Sequence, residues 1–462
     1  MTNDKSNSTG NARIKPGQGY TADQLLRFII PSVIGAAVFL LPIPYDDTVT
    51  IIIGLLHDAL QNLLEVQLPY IGMVLVLISA ILTLVTVFFK PASIMNTEFL
   101  KEVFDVGPVW YVSRTIGAIM YVMVIYELGP EFIWSIDTGG TPGYILIPIL
   151  VSLFVFTSFV ISLLTEFGLM EYIGTLLRNI MKPLFTIPGR AAIDSLASWL
   201  GSPSVAIIVS RKMYDEGYYT GREAGVITTT FSLVGIGYIY VMASVVGLPE
   251  LYFQLLFSTY IVSVILAFIM PRIWPLSRIP DTYNEKVGKQ IVEEKEGDVT
   301  LHQWAVNTAV NRAQGSDLNT FFRTGIKTLL IIYMSTLPLV MAWGGIALIV
   351  AVYTPIFDWL ATPFAFLLQL INIPEAAELA PAFLLALPDQ FLAGVIGAGL
   401  ESRIASFMAA GISITGLVYL SEVGVLILDS KIPINILHLV VIYLIRAVLT
   451  VFLLAPFAFW FC

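Results

Sequence analysis

Apolar runs of membrane-crossing length alternate with short polar stretches along nearly the whole chain. A spanning helix needs about 20 apolar residues to cover a hydrocarbon core of about 30 Å. The runs 28–45, 70–90, 109–129, 143–164, 223–247, 251–274, 324–348, 404–428 and 433–459 approach or exceed that length, and they predict about nine full transmembrane helices. Four apolar or amphipathic stretches remain. Residues 166–185 and 355–371 read as helices lying along the membrane surface, the first basic and the second without Lys or Arg. Each is followed by two runs of about a dozen residues, too short to span because a half of that length rises only about 20 Å as helix. The first pair, 188–216, turns at Gly201-Ser202-Pro203-Ser204; the second, 374–402, turns at Pro388-Asp389-Gln390. Proline breaks the backbone ladder there, and Ser, Asp and Gln can satisfy the groups it frees. Both read as re-entrant helical hairpins.

The order of elements then repeats. Span, surface helix, hairpin, span, span occurs over 143–274 and again over 324–462, the first set beginning outside and the second inside. This is an inverted-topology repeat, the arrangement in which discontinuous helices meet near the midplane to bind substrate. Short local matches accompany it: Ala191-Ala192-Ile193-Asp194 and Ala376-Ala377-Glu378 precede the tips, and Thr228-Thr229-Thr230 and Ser413-Ile414-Thr415 follow them. The fold class is therefore an all-α polytopic membrane protein. It divides into an N-terminal cytoplasmic tail (1–27), scaffold and oligomerisation helices (28–129), a first repeat (143–274), a cytoplasmic linker (275–323) and a second repeat (324–462).

Composition sharpens this reading. The 462 residues are 57% hydrophobic and 12% charged, with a mean hydropathy of +0.84. A soluble domain carries about a quarter charged residues, so an ordinary cytosolic enzyme is excluded. With 24 Lys+Arg against 33 Asp+Glu, a nucleic-acid partner is excluded too. The segments 46–69, 130–142, 248–250 and 349–400 hold no Lys or Arg, which places them outside and the N-terminus inside by the positive-inside rule. Residues 1–27 lack the apolar run of a secretory signal. Cys462 stands alone, and His57, His302 and His438 show no ligand spacing. No cofactor is expected, and no metal beyond a sodium ion. The linker stretch 281–299 is densely charged and reads as solvated, with a short amphipathic helix over 299–313.

The block GRAAIDSLASWLGSPSVAIIVSRKMYDEGYYTGREAGVITTTFSLVG (189–235) resembles the nucleoside-recognition, or Gate, domain. Over about residues 25–460 the chain resembles the YjiH-type membrane proteins, in which two such halves occur fused or as a neighbouring pair. Gate domains are similar in layout to concentrative nucleoside transporters. That resemblance implies an elevator motion coupled to sodium or protons, a multi-pass protein of the bacterial cytoplasmic (inner) membrane, and a homo-oligomer. The hairpin motif of Gly-Gln-x-Glu type that contacts nucleosides in those transporters is lacking here.

The candidate residues follow from the half-helix ends. Helix N-termini at a tip present free N–H groups and partial positive charge to an anionic group, while unwound carbonyls and hydroxyls suit sodium. Ser202, Pro203, Ser204, Thr228, Thr229, Asp389, Gln390, Ser413, Thr415 and Arg446 are the substrate-binding candidates. Asp194, Thr230, Ser232, Ser335, Thr336, Asp389 and Glu422 are the coupling-ion candidates, Ser335-Thr336 because Pro338 frees carbonyls near 333–334. Span hydroxyls also bond back to their own helix, and this alternative stands beside each of them. Asp389 and Arg446 fall at similar depth. Either they form a structural ion pair, or Asp389 takes a coupling cation or proton while Arg446 takes a substrate carboxylate. The function expected is secondary active transport of a small polar organic solute such as a nucleoside, amino acid or short peptide, with no enzymatic activity. A gated channel, or a membrane subunit acting with a partner protein, is the alternative.

Overall fold

The computed structural model describes residues 19–45, 48–200, 203–285, 287–289 and 299–462. Most of the expected N-terminal tail lies outside these residues. Its last part does not: α1 (Ala22–Leu40) begins before residue 28, because Thr21 and Gln24 form a capping box and Asp23 pairs with Arg27 at 3.0 Å. These polar residues extend the helix beyond its apolar stretch. A two-stranded antiparallel ribbon, β1 (Ile43–Tyr45) and β2 (Thr48–Thr50), leads to α2 (Ile52–Leu64). The apolar pattern assigns no span to α2 or to β2. Next come α3 (Leu68–Phe89), the short α4 (Ala92–Met95) and α5 (Glu98–Phe104), α6 (Pro108–Ile125) and α7 (Glu131–Trp134).

From α7 the chain continues through π-helical turns (Ile136–Leu146) into α8 (Ile147–Glu166), so the expected span 143–164 begins well before residue 143. Gly143 and Pro142 do not end it: π-helical turns carry the chain through them, and the Tyr121 hydroxyl donates to Gly143 O at 2.8 Å. The amphipathic α9 (Leu169–Phe185) follows, then a helical hairpin of α10 (Ala191–Leu200) and α11 (Pro203–Asp215). Instead of one continuous helix over 223–247 there are two, α12 (Gly221–Thr230) and α13 (Ile236–Val245), with unwound backbone at 231–235. After α14 (Tyr252–Ile269) and α15 (Leu301–Gln314), the chain crosses the molecule in one run of 36 residues. That run is α16 (Leu318–Ile331), α17 (Leu337–Leu339) and α18 (Gly345–Tyr353), joined by π-helical turns on either side of Pro338.

The second half repeats the first. Amphipathic α19 (Ile356–Leu370) precedes a hairpin whose first arm is α20 (Ala376–Leu379) and α21 (Ala382–Leu385) and whose second arm is α22 (Gln390–Ala398). The expected span 404–428 is again two pieces. α23 (Arg403–Thr415) unwinds at 416–419 and resumes at Leu420 through π turns into α24 (Val425–Asp429). α25 (Ile436–Phe461) closes the chain. Seven of the described helical runs are long and apolar enough to cross a membrane. The difference from nine lies in the two broken helices.

Packing sorts these elements into two groups. α3, α6, α8 and the 318–353 run pack on one another, with α1 and α2 against α8. The hairpins pack with the broken helices, α14 and α25. They do so crosswise: α13 from the first half lies on α22 and α23, and α24 from the second half lies on α11. At the first group's centre a Cβ on Gly117 would collide with Pro338 O, so α6 approaches the irregular stretch of the long run as only glycine allows. Close packing of this kind tolerates no added volume. Gly117→Ala is expected to destabilise the purified protein by about 1–3 kcal/mol, read as a lowered Tm in detergent; an unchanged Tm would disprove the close approach.

The linker behaves unlike a solvated spacer at both ends. Thr282 O and Pro280 O accept from the N–H groups of Gly221 and Arg222 at 3.0 Å, and Asp281 accepts from the Thr220 hydroxyl at 2.6 Å. These residues finish the turn into α12, supplying acceptors that its first N–H groups need. α15, capped by Thr300, packs on α9 and α1. Its Trp304 ring lies under Arg178 (4.5 Å), and its Arg312 reaches Glu166 (2.6 Å) and Glu171 (3.5 Å). Burial pushes the Glu171 carboxyl above its ordinary 4.5, and Arg312 offsets only part of this. A carboxyl raised in the folded state contributes stability while protonated and loses it as pH rises from 4.5 through the raised value. Glu171→Gln should therefore match wild type in Tm at acid pH and exceed it at pH ~8. A lower Tm at alkaline pH would show instead that the Arg312 attraction dominates.

Candidate functional site

The site is built where the two backbone breaks meet the hairpins. A break in an apolar bundle exposes carbonyl and N–H groups that have no water to turn to. At the first break, Ser198 Oγ donates to Leu233 O at 3.0 Å and Trp199 Nε1 to Phe231 O at 3.1 Å, both from the tip end of α10. Tyr260 in α14 in turn donates to Trp199 O at 3.1 Å. At the second break the backbone makes the contact itself: Leu420 N–H donates to Leu387 O of the second tip at 2.7 Å. Leu417 there sits at φ +58°, a left-handed conformation that costs about 1–2 kcal/mol for a residue with a Cβ.

The second tip carries the densest polar chemistry. Pro388 ends the first arm, and Asp389 caps α22, accepting from Phe391 N–H at 2.9 Å. Ser413 Oγ donates to Gln390 O at 2.8 Å and lies 2.8 Å from the Tyr238 hydroxyl, which is left to donate to it. The Tyr238 ring meets Phe391 edge-on with centroids 4.9 Å apart. One cluster thus joins the second tip, the end of α23 and the start of α13. Asp389, Gln390, Ser413 and Tyr238 are all buried.

Arg446 in α25 is fully buried at the same break. It donates from Nε (3.2 Å) and Nη2 (2.9 Å) to Thr415 O, the last residue of α23, while Nη1 has no partner. The structural Asp389–Arg446 ion pair is not formed; the guanidinium is turned to a helix C-terminus, where positive charge is favoured.

The hydroxyl candidates divide. Thr228, Thr229 and Ser232 donate to Ala224 O (2.8 Å), Gly225 O (2.7 Å) and Thr228 O (2.5 Å), and Thr415 to Gly411 O (2.8 Å). These are the bonds back to their own helix, which satisfy the donor and leave the oxygen's lone pairs. Thr230 Oγ1 is buried without a partner. So are Thr157 Oγ1 and Ser158 Oγ in α8, and Thr157 lies so close to Gly237, beside the first break, that no Cβ would fit there.

Other candidates lie elsewhere. Pro203 is buried at the start of α11. Ser202 and the side chains of Ser204 and Glu422 lie outside the described residues. Asp194 accepts from the Tyr219 hydroxyl at the base of the first hairpin. Ser335 belongs to the α3–α6 group, where Arg114 Nη2 donates to it at 2.9 Å while Nη1 binds Thr83 Oγ1 (2.8 Å) and Val103 O (2.9 Å). A guanidinium already stands where a coupling cation would have to sit. Thr336 adjoins it in the same π turn, and the carbonyl freed near Pro338 is taken by the Ser79 hydroxyl, which donates to Met334 O.

A cavity of about 530 Å³ opens beside the second hairpin, lined by Asp137, Leu146, Leu348, Phe357, Pro381 and Ile396 among others. It separates that hairpin from the ends of α18 and the π turns before α8, and its lining holds no tip residue. Among the described residues no cluster of His, Cys, Asp or Glu could hold a metal ion.

Residues 147–249 match the Gate family, described as nucleoside recognition. The chain is 44% identical over 431 residues, 93% of each chain, to an uncharacterized protein of Alkalihalophilus pseudofirmus. The chain belongs to the family of that protein and carries a Gate domain. The Gate domain spans α8 to α13, and so holds the first hairpin and the first break. Among solved structures, CNTnw in an inward-facing substrate-bound state is similar with a TM-score of 0.42 and 14% identity, over 88% of this chain and 97% of that one. A doubly substituted CNTnw in an outward-facing state is similar with a TM-score of 0.40 and 15% identity, over 95% of this chain and 98% of that one.

Sequence reasoning did not single out Tyr238, Ser198 or Trp199. The signal for Tyr238 was a phenol in mid-span, where a hydroxyl must find a buried partner. Within the Gate domain, Ser198→Ala is expected to lower stability by about 1 kcal/mol by leaving Leu233 O unpaired, and Trp199→Phe to add to it. Thermal unfolding of both single variants and the double variant measures this; no loss in either would mean that the break is satisfied by other groups.

Proposed function

We propose that this protein is a secondary active transporter of a small polar organic solute, driven by sodium or protons. Nucleosides, amino acids and short peptides are the solute classes, nucleosides because the matched family is described by their recognition. The observation that carries the reading is the crossed pair of broken helices, each held by a hairpin, with Asp389, Gln390, Ser413 and Tyr238 converging at one tip. Half-helix ends meeting inside an apolar bundle form a binding site without water. Asp389 is the coupling residue, taking a cation or proton whose binding removes the cost of a buried carboxylate. The hairpins, α12–α14 and α23–α25 move as one unit against the α3, α6, α8 and α16–α18 group, with the hairpins entering the membrane and turning back. The N-terminus lies inside, in a bacterial cytoplasmic membrane, and copies associate through the fixed group.

Uptake into proteoliposomes of labelled uridine, alanine, dialanine and succinate, under imposed sodium or proton gradients, tests this. One solute is expected to accumulate above equilibrium and to leak out when an ionophore collapses the gradient. Asp389→Asn should abolish accumulation, whereas Ser335→Ala should leave its ion dependence unchanged. Equilibration without accumulation would make the protein a channel, and no flux without a co-expressed protein would make it a subunit.

A further inference from the structure

Arg114 and Arg446 are both fully buried with no carboxylate paired to them among the described residues; Arg114 spreads its donors over Thr83, Val103 and Ser335, whereas Arg446 is answered by a single carbonyl. Its guanidinium carries a full positive charge at zero exposure, and what it meets is one carbonyl, Thr415 O. A helix C-terminus offers about half an elementary charge. Among the described residues no carboxylate forms an ion pair with it. An ion left this way inside a membrane bundle costs several kcal/mol. A purely structural helix cap needs no such charge, because a neutral donor caps a carbonyl as well.

The geometry of the unused donors is specific. Thr415 O takes the edge formed by Nε and Nη2. The opposite edge, Nη1 with the second hydrogen of Nη2, is the one that pairs end-on with a carboxylate, and Nη1 is buried with no partner. A second unmet group belongs to the second tip. Gln390 Oε1 is also buried without a partner, and Gln390 O is tied through Ser413 to α23 two residues before Thr415. An acceptor at the second tip and a forked cation at the end of α23 are thus tied together through Ser413.

We propose that the transported solute is a carboxylate, held end-on by the Nη1/Nη2 edge of Arg446, and that it offers an N–H to Gln390 Oε1. An amino acid or short peptide has both groups; a neutral nucleoside has no anion to offer. A carboxylate rather than a phosphate fits, since one guanidinium balances one negative charge and a phosphate monoester brings about −1.5 to −2. This inference rests on the transporter reading and narrows its solute.

The test is a thermal-shift titration of the full-length purified protein against matched pairs: alanine and alaninamide, dialanine and dialanine amide. Succinate, uridine and uridine 5′-monophosphate complete the set. Wild type is compared with Arg446→Lys and Arg446→Gln. The acid member of one pair is expected to stabilise wild type and to bind at least about tenfold more tightly than its amide. Arg446→Gln should erase the difference between the two members, and Arg446→Lys should keep part of it, having the charge without the fork. Should Arg446→Gln not fold, the wild-type acid-to-amide ratio and Arg446→Lys decide. Uridine binding equally to wild type and Arg446→Gln would overturn the carboxylate and leave the transporter reading standing. A preference for uridine 5′-monophosphate over every carboxylate would overturn it in favour of phosphate. No shift with any compound in a folded wild type would overturn both.

Discussion

Two helices of this protein stop in the middle of an apolar bundle, and each stop leaves carbonyl and N–H groups that cannot be hydrated. Such groups cost about 1–3 kcal/mol apiece when unpaired, so no arrangement survives unless other parts of the chain reach in to bind them. The hairpins do this. Ser198 and Trp199 answer the first break, Leu387 O answers the second, and Arg446 closes the end of α23. The crosswise packing of α13 on α22 and of α24 on α11 follows, because a hairpin bound to its own break must also lie against the helix emerging from the other half. The polar cluster at Asp389 exists because that geometry brings a tip and two helix ends to one place.

Much of the architecture was legible in the apolar pattern. The amphipathic helices expected over 166–185 and 355–371 appear as α9 and α19 within a few residues, α10 and α11 end and begin on either side of the expected first tip, and the second hairpin turns at Pro388-Asp389. The breaks were not legible. Phe231-Ser232-Leu233-Val234-Gly235 and Gly416-Leu417-Val418-Tyr419 are apolar and contain no proline. A local reading continues the helix through them, since the donors that make unwinding tolerable come from residues tens of positions away. The reverse held at Pro338, where the chain keeps helical turns because Ser79 binds the Met334 carbonyl that the proline frees.

The candidate site was legible in part for the same reason. Asp389, Gln390, Ser413 and Arg446 could be found because charged and amide groups inside apolar runs are conspicuous, and the structure brings them to one break. Hydroxyls are not informative in this way. Thr228, Thr229, Ser232 and Thr415 bond to carbonyls one turn back, while Thr230 and Thr157 do not, and nothing in their spacing separates the two sets. Ser335 resembled a site residue because of Pro338 beside it, yet its partner is Arg114, more than two hundred positions earlier.

The two clasps differ in what they are made of. At the first break the donors are the side chains of a serine and a tryptophan; at the second, donor and acceptor are main-chain atoms of Leu420 and Leu387. A bond between main-chain atoms is blind to residue identity and survives any substitution that keeps the backbone path. The first clasp therefore depends on two particular side chains, whereas the second joins one main-chain bond to the side-chain bonds of Ser413 and Arg446. Two halves that share an order of elements can lose nearly all likeness in sequence without losing that order.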